Sequence, residues 1–189
     1  MSLTTKLQAV NEVLAGIGDS PVSSLSSGFV TASMAAHKID AISKELQERG
    51  WSFNTEEDMR LNPDFEGYIQ LPDNVLRVDP TDVRSNVVQR GLRLYDKLKH
   101  TFKFTQGVNV VMVVELPFEE LPEAARAYIK FRAKRLFQND LMGDPTLHQI
   151  QTPEEKDAWA RLEQMESESA DHNIFDNYDL ADWIRRDIL

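Results

Sequence analysis

The spacing of apolar residues along the chain changes twice, and these changes predict its elements. At 5–18 apolar side chains recur every three or four positions behind a Thr-x-x-Gln capping box, and the same spacing returns at about 31–49. Both stretches predict amphipathic helices. Two more helices are predicted at 121–137, where Pro122 and Glu123 form the start, and from Thr152 to about Ser169, behind Thr-Pro-Glu-Glu.

From Gly67 the apolar spacing changes to alternation, which is typical of strands. Short β-branched or aromatic runs, separated by turn-forming residues, occupy 67–79, 86–90, 92–96, 101–104 and 108–116. They predict a small, mostly antiparallel sheet. The last run, VNVVMVVEL, is almost entirely apolar. It therefore predicts either a central strand covered on both faces or one edge of a seam between subunits.

Together these elements predict an α+β fold, a helical bundle with an inserted small, mostly antiparallel β-sheet. Residues 1–60 are expected to form the first half of the bundle and residues 61–120 the β insert. Residues 121–170 would complete the bundle, and residues 171–189 would form an acidic C-terminal segment.

A structural corner is predicted where the second helix ends, in the sequence ERGWSFNTE. Gly50 can adopt the left-handed conformation that ends a helix. Trp51 and Phe53 are two residues apart, so on an extended segment they would share one face and pack against the helix. This corner is expected to fix the second helix to the start of the β insert.

Composition and charge narrow the class of protein. The 189 residues include no cysteine, which excludes disulfide frameworks and thiolate zinc sites, and no apolar run approaches the roughly 20 residues that span a bilayer. The N-terminal stretch contains Gln8, Asn11 and Glu12, so it does not predict a signal peptide. These features predict a soluble protein made in a reducing cytoplasm.

The net charge of −10 is concentrated near the C-terminus, since residues 151–189 hold 4 basic and 11 acidic residues. Basic side chains cluster instead at 84–103 and 126–135. Each cluster is either a solvated face or a surface complementary to an acidic neighbour. The acidic balance argues against tight, sequence-independent DNA binding.

No pattern in the chain predicts catalysis. The four histidines are scattered, the acidic doublets are adjacent residues that point in different directions on a helix, and no glycine loop leads from a strand into a helix. The prediction is a protein that is not an enzyme and has no catalytic, cofactor or metal site. RLYDKLKHTFKF (93–104) could be a single-strand binding platform, but its alternation also fits a half-buried strand.

The order of several landmarks resembles the tail tubular protein A family of T7-like, short-tailed bacteriophages. The resemblance covers roughly residues 3–170, and its most specific pieces are ERGWSFNTE and RGLRLYD. It implies a virion structural protein, an adaptor or gatekeeper ring attached below the dodecameric portal. A ring of the tail nozzle, tubular protein B, would attach beneath it, and DNA would leave through its channel without specific binding.

The resemblance also implies partners, and the composition of the chain assigns particular residues to them. The ring would contain twelve copies, with the portal and the nozzle as partners and no membrane, in the virion tail of a phage made in the bacterial cytoplasm. The C-terminal side chains expected to contact the portal or a neighbouring subunit are Ile174, Phe175, Tyr178 and Trp183. The basic side chains expected to contact the nozzle are Arg84, Arg90, Arg93, Lys97 and Lys99.

Three alternatives accompany these expectations. The C-terminal stretch could instead be a short helix that packs on the chain's own bundle. The whole chain could also be a small α+β binding or regulatory protein with no virion role, or an undetected hydrolase with convergent carboxylates or histidines in a deep pocket.

Overall fold

The computed structural model describes residues 3–26, 28–82, 85–143 and 145–175. In this part of the chain the fold is mixed α+β, as the sequence predicts. The elements in chain order are α1 (Lys6–Gly16), α2 (Val30–Gln47), β1 (Thr55–Leu61), β2 (Val75–Pro80), β3 (Val87–Arg90), β4 (Arg93–Asp96), β5 (Val108–Val114), α3 (Glu123–Met142) and α4 (Pro145–Phe175). Short 3-10 helices lie at Ser52–Asn54 and Phe118–Glu120.

The chain divides into two compact units, and the division falls inside α2. Unit 1 consists of Met1–Ser43 with Phe118–Leu189, and unit 2 of Lys44–Pro117. Unit 1 holds α1, α3, α4 and most of α2, whereas unit 2 holds the last turn of α2 and all five strands.

In unit 1 the first helix begins as its capping box predicts. The Gln8 backbone N–H donates to Thr5 Oγ1 at 3.2 Å, and the Thr5 N–H donates to Gln8 Oε1 at 2.9 Å. These bonds satisfy two donors that a helix start leaves without partners. The face that packs against α3 is closed to solvent, with Ala9, Val10, Val13 and Leu14 buried.

The third helix also follows its sequence signals. Its N-cap is Pro122, and it ends at Gly143, whose left-handed φ of 61° closes the helix. The spacing of apolar residues on this helix predicts a buried stripe of six side chains. Five of them are buried, namely Ala125, Tyr128, Ile129, Ala133 and Phe137, whereas Leu136 is half-buried.

The predicted start of the fourth helix at Thr152 is wrong. One helix runs from Pro145 to Phe175, and Pro153 lies inside it. Thr-Pro-Glu-Glu is a start signal because proline lacks an N–H and is tolerated in the first turn. In this chain the helix instead accommodates proline in its interior. Ala158 and Leu162 are buried on this helix, as expected.

The strands of unit 2 form two antiparallel sheets. The larger has the order β1-β5-β2, and the smaller is the β3-β4 hairpin. The prediction that VNVVMVVEL is a central strand is confirmed. Consecutive residues Met112, Val113 and Val114 are all buried, so both faces of β5 are covered at this end.

Two parts of the sheet differ from the sequence prediction. Strand β1 was not predicted, because TEEDMRL is mostly charged and exposed and lacks an apolar alternation. It pairs along the edge with β5 and contains a bulge between Glu56 and Met59, and charge is common on such edges. Conversely, the run predicted at 67–79 forms a strand only in its second half, as β2. Its first half and the predicted strand at 101–104 form only isolated bridges, among them Tyr68 with Lys103.

A buried arginine ties the start of the chain to α3 in unit 1. Arg126 is 3% exposed, and its Nε donates to the Leu121 carbonyl at 2.7 Å and its Nη1 to the Thr4 carbonyl at 2.8 Å. Its Nη2 donates to the Glu119 carbonyl. Burial raises the pKa of Glu123, but hydrogen bonds from the Thr4 side chain and backbone outweigh that effect and lower it.

Substitution of Arg126 by methionine should lower the free energy of unfolding by about 2 kcal/mol. Methionine occupies a similar volume, but three carbonyls lose their donor. Urea denaturation of the purified chain measures the effect. The matched control is Lys156→Met, an exposed cation on α4, which should change stability by less than about 0.5 kcal/mol. Equal effects of the two substitutions on the free energy of unfolding would show that the hydrogen bonds of Arg126 do not stabilise the fold.

Candidate interaction surfaces

The corner after α2 begins with a glycine whose conformation and surroundings both favour glycine. Gly50 has a φ of +74°, and its N–H donates to the Gln47 carbonyl at 3.0 Å. A Cβ atom at this position would lie 3.0 Å from Arg77 Nη2 and 3.0 Å from Val113 Cγ2. Any other residue would therefore be strained by its φ and crowded by β5 and β2.

Trp51 is buried beside the end of the helix. Its indole Nε1 donates to the Leu46 carbonyl at 2.8 Å, and its ring stacks on Phe53 at a centroid distance of 6.2 Å. The sequence predicts an extended segment here, and this prediction is wrong, because residues 52–54 form a 3-10 turn. The turn is closed by the Asn54 side chain, whose Oδ1 accepts from the Trp51 N–H at 2.8 Å.

Two buried amide side chains connect this corner to the end of β5 and to Leu116 just beyond it. We call these two side chains, Gln47 and Asn54, the amide clasp. Gln47 is 0% exposed and Asn54 1%. Gln47 donates to the Leu116 carbonyl at 3.1 Å and accepts from the Leu116 N–H at 2.7 Å. Asn54 Nδ2 donates to the carbonyls of Gln47 at 3.0 Å and Val114 at 2.8 Å. Sequence reasoning missed both residues.

Two of the basic residues predicted to contact the nozzle lie on the β3-β4 hairpin and are held over aromatic rings, one on the hairpin and one outside it. The Arg90 guanidinium lies 3.7 Å from the Tyr95 ring centroid, and that of Arg93 lies 4.8 Å from Tyr68. Lys103 Nζ is 5.7 Å from the same Tyr68 ring. We call these three cations and two tyrosines the hairpin face. Its three cations are exposed to solvent, and each is held over a tyrosine ring.

The other predicted basic residues lie elsewhere. The register pairs Arg90 with Arg93 beside the Gly91 turn, whereas Lys97 and Lys99 follow the opposite end of the hairpin. There the Asp96 carboxylate accepts from the Leu98 and Lys99 N–H groups at 2.9 and 3.0 Å. The Lys99 N–H is the largest of the influences that lower the pKa of Asp96. Arg84 lies outside the described residues.

The second basic cluster, on α3, is largely bound within unit 1. Besides the buried Arg126, the Arg135 guanidinium pairs with the Glu155 carboxylate, and Arg132 Nη1 lies 3.6 Å from the same carboxylate. The hydrogen bond that Arg135 donates to the Glu155 carboxylate raises the pKa of Arg135. This cluster is therefore mainly part of the packing of α3 against α4.

The predicted C-terminal contact residues fall at the end of the described chain or beyond it. Ile174 and Phe175 lie in the last turn of α4, whereas Tyr178 and Trp183 lie outside the described residues. The contact predicted for these four side chains stays a prediction.

The described residues contain no group of three or more histidine, aspartate or glutamate side chains placed to hold a metal ion. None of their helices combines the length and the apolar character that crossing a bilayer requires.

Comparison with known proteins assigns the family. The tail tubular protein family matches residues 7–172. The chain belongs to this family. Among its relatives, tail tubular protein A of Klebsiella phage KP34 is 29% identical over 140 residues, which cover 74% of this chain and 75% of the relative.

Family membership decides several predictions. The tail tubular protein is a structural component of the phage virion tail and not an enzyme, so these two predictions are confirmed. The same finding favours a virion role over the alternatives of a regulatory protein or a hydrolase. The resemblance stated from ERGWSFNTE and RGLRLYD is likewise confirmed.

Substitution of Gln47 by leucine should lower the free energy of unfolding by about 2 kcal/mol, because the N–H and the carbonyl of Leu116 both lose their partner. Chemical denaturation measures the change. Gln106→Leu is the matched control, since Gln106 is exposed in the same unit. If both variants unfolded at the same denaturant concentration, the amide clasp would not stabilise unit 2.

Proposed function

We propose that this chain forms an adaptor ring that joins the portal to the tubular tail nozzle and lines the channel through which DNA leaves the virion. The observation that carries the proposal is the match to the tail tubular protein family over residues 7–172. The similarity to a tail tubular protein A supports the more specific adaptor role. The ring would contain twelve copies, to match a twelvefold portal.

The hairpin face supports an assignment for the nozzle contact. Its cations are held over Tyr68 and Tyr95, whereas Arg126 and Arg135 on α3 are bound inside unit 1. Arginine and tyrosine are enriched at the energetically important centres of protein interfaces. Side chains that are already positioned also lose less conformational freedom on binding. The hairpin face is therefore the surface that we assign to the nozzle.

The charge of the chain supports DNA passage without capture. Each of the twelve copies would contribute a net charge of −10. DNA is attracted by an excess of Lys and Arg that faces its phosphates, and an acidic channel repels it. The acidic balance thus fits a conduit from which DNA must slide freely.

The C-terminal residues are assigned to the portal or to a neighbouring subunit. Residues 151–189 hold 11 acidic and 4 basic residues, together with Ile174, Phe175, Tyr178 and Trp183. An acidic segment with this many large apolar groups gains most when a partner covers them.

The double substitution Arg90→Glu and Arg93→Glu should weaken binding of the nozzle protein at least tenfold and leave portal binding unchanged. Reversed charge removes both cations from the tyrosine rings and repels an acidic partner. Portal rings, this chain and the nozzle protein are mixed, and their complexes are quantified by native mass spectrometry and imaged by negative-stain microscopy.

The control for this test is Lys156→Glu with Arg161→Glu, which makes the same charge change on an exposed part of α4. Lys97→Glu with Lys99→Glu tests the other end of the hairpin separately. Unchanged nozzle binding by the hairpin variant, or cross-links from residues 84–104 to the portal alone, would exclude the nozzle assignment. If the unmodified chain never joined portal rings, the adaptor role itself would be lost.

Deletion of residues 172–189 should leave the thermal unfolding of the chain nearly unchanged but reduce its incorporation into portal-bound rings. Incorporation should fall because the deletion removes the four large C-terminal side chains. Thermal unfolding should stay nearly unchanged because the deletion retains the buried residues described for unit 1, which precede residue 172. Normal incorporation of the truncated chain would contradict the C-terminal assignment. Substitution of the acids alone by their amides separates the role of charge from that of the apolar groups.

A further inference from the structure

One aromatic ring is fully exposed on a loop that is itself tightly organised. Phe65 is 98% exposed. The loop around it is closed by backbone bonds from the Asp64 N–H to the Tyr68 carbonyl at 2.8 Å and from the Gly67 N–H to the Asp64 carbonyl at 3.0 Å. The Asp64 carboxylate also accepts from the N–H groups of Glu66 and Tyr68 at 2.9 and 2.8 Å.

The base of this loop is fixed as well. Gly67 has a φ of +90°, and its carbonyl accepts from the Phe104 N–H at 2.8 Å. Because Phe65 is almost wholly exposed, its ring adds almost nothing to the stability of the fold. An aromatic side chain on a positioned loop has the properties of an interface anchor, since it offers a large apolar area at a small cost in ordering.

A surface of matching chemistry lies at the start of α2. Phe29 is 64% exposed and Val30 73%, and Leu25 and Met34 are also exposed. With Ser26 and Ser33 they line an open cleft of about 440 Å³. An apolar cavity of about 150 Å³ already accepts a benzene molecule, so this α2 cleft has room for a phenylalanine ring.

The charges around the two surfaces are complementary. The positive end of the α2 dipole borders the α2 cleft. Because the first turn of α2 has no acidic residue, no carboxylate of that turn offsets this positive end. Phe65 is flanked by Asp64 and Glu66, which bring negative charge beside the ring. A neutral or basic anchor would match this cleft less well.

We propose that Phe65 of one copy inserts into the α2 cleft of the next copy and forms the contact that closes the ring. Because the anchor and the cleft are different surfaces of one chain, this contact is head-to-tail, as a ring requires. The inference rests on the proposed adaptor ring and adds the contact between its subunits. The portal, the nozzle and the C-terminal residues are the competing occupants of the cleft.

The absence of cysteine from the chain makes a direct test simple. Glu66→Cys, which keeps the Phe65 ring and places an exposed thiol beside it, and Met34→Cys are made in separate copies, which are mixed, assembled with portal rings and treated with a short bismaleimide. The expected product is a cross-linked dimer that contains one copy of each variant, which mass spectrometry of the peptides identifies. Because each copy carries a single cysteine, a cross-link within one chain is impossible.

The control pairs Glu66→Cys with Leu141→Cys, an exposed apolar residue on α3. The inference is overturned if rings are seen by microscopy but Glu66→Cys joins the control as often as Met34→Cys, or joins only the portal or nozzle. That result leaves the adaptor ring intact. If the expected cross-link forms without any portal-bound ring, the subunit contact is supported and the adaptor function fails. If neither ring nor cross-link forms, both are overturned.

A second measurement uses substitutions that the fold should tolerate. Phe65→Ala should weaken self-association at least tenfold by analytical ultracentrifugation or ring counting, whereas its thermal unfolding should match that of the unmodified chain. Phe65→Leu should retain part of the association because it keeps an apolar anchor. Leu141→Ala is again the control. Equal association of the Phe65→Ala and unmodified chains would overturn the proposed contact.

Discussion

The amide clasp is the constraint on which unit 2 depends. Gln47 and Asn54 are closed to water, so their amide groups require partners within the protein. Those partners are the carbonyls of Gln47 and Val114 and the backbone of Leu116. They are in reach only when α2 ends at Gln47 and β5 keeps its register. A shift of β5 by one residue would also turn its buried side chains to the other face. Polar and apolar groups therefore specify the same arrangement.

The fold could be predicted where one local signal had no competitor. The Thr5 and Gln8 side chains close α1 within a single turn. The nearly uniform apolar run of β5 predicts a covered strand, either central in its own sheet or at a seam between subunits, and the structure places it between β1 and β2. Local signals failed at β1, whose charged residues are stabilised by pairing with β5 instead of by an apolar face. They failed again at Pro153, where the surrounding helix overrides a start signal.

The candidate surfaces were harder to predict because their geometry depends on distant residues. Gln47 and Asn54 have polar side chains that a sequence assigns to the surface, and their partners Leu116 and Val114 are 69 and 60 residues away. The charged residues show the same limit. Basic clusters on α3 and on the β3-β4 hairpin look alike in the sequence. Arg126, however, is buried and donates to three carbonyls, whereas Arg90 is exposed and lies over the half-buried ring of Tyr95.

Tyr68 links the two contact surfaces that we propose for unit 2. Its backbone closes the Phe65 loop through Asp64, and its ring lies beneath Arg93 and Lys103 of the hairpin face. The Phe65 anchor and the hairpin face are thus held to the same residue. A subunit that seats Phe65 in its neighbour would therefore also fix the orientation of its hairpin face. In a ring built this way, the same residue would hold both the contact to the neighbouring subunit and the cations that are presented to the nozzle. Rigid coupling of this kind explains why a structural protein would order a loop whose aromatic ring the fold itself does not need.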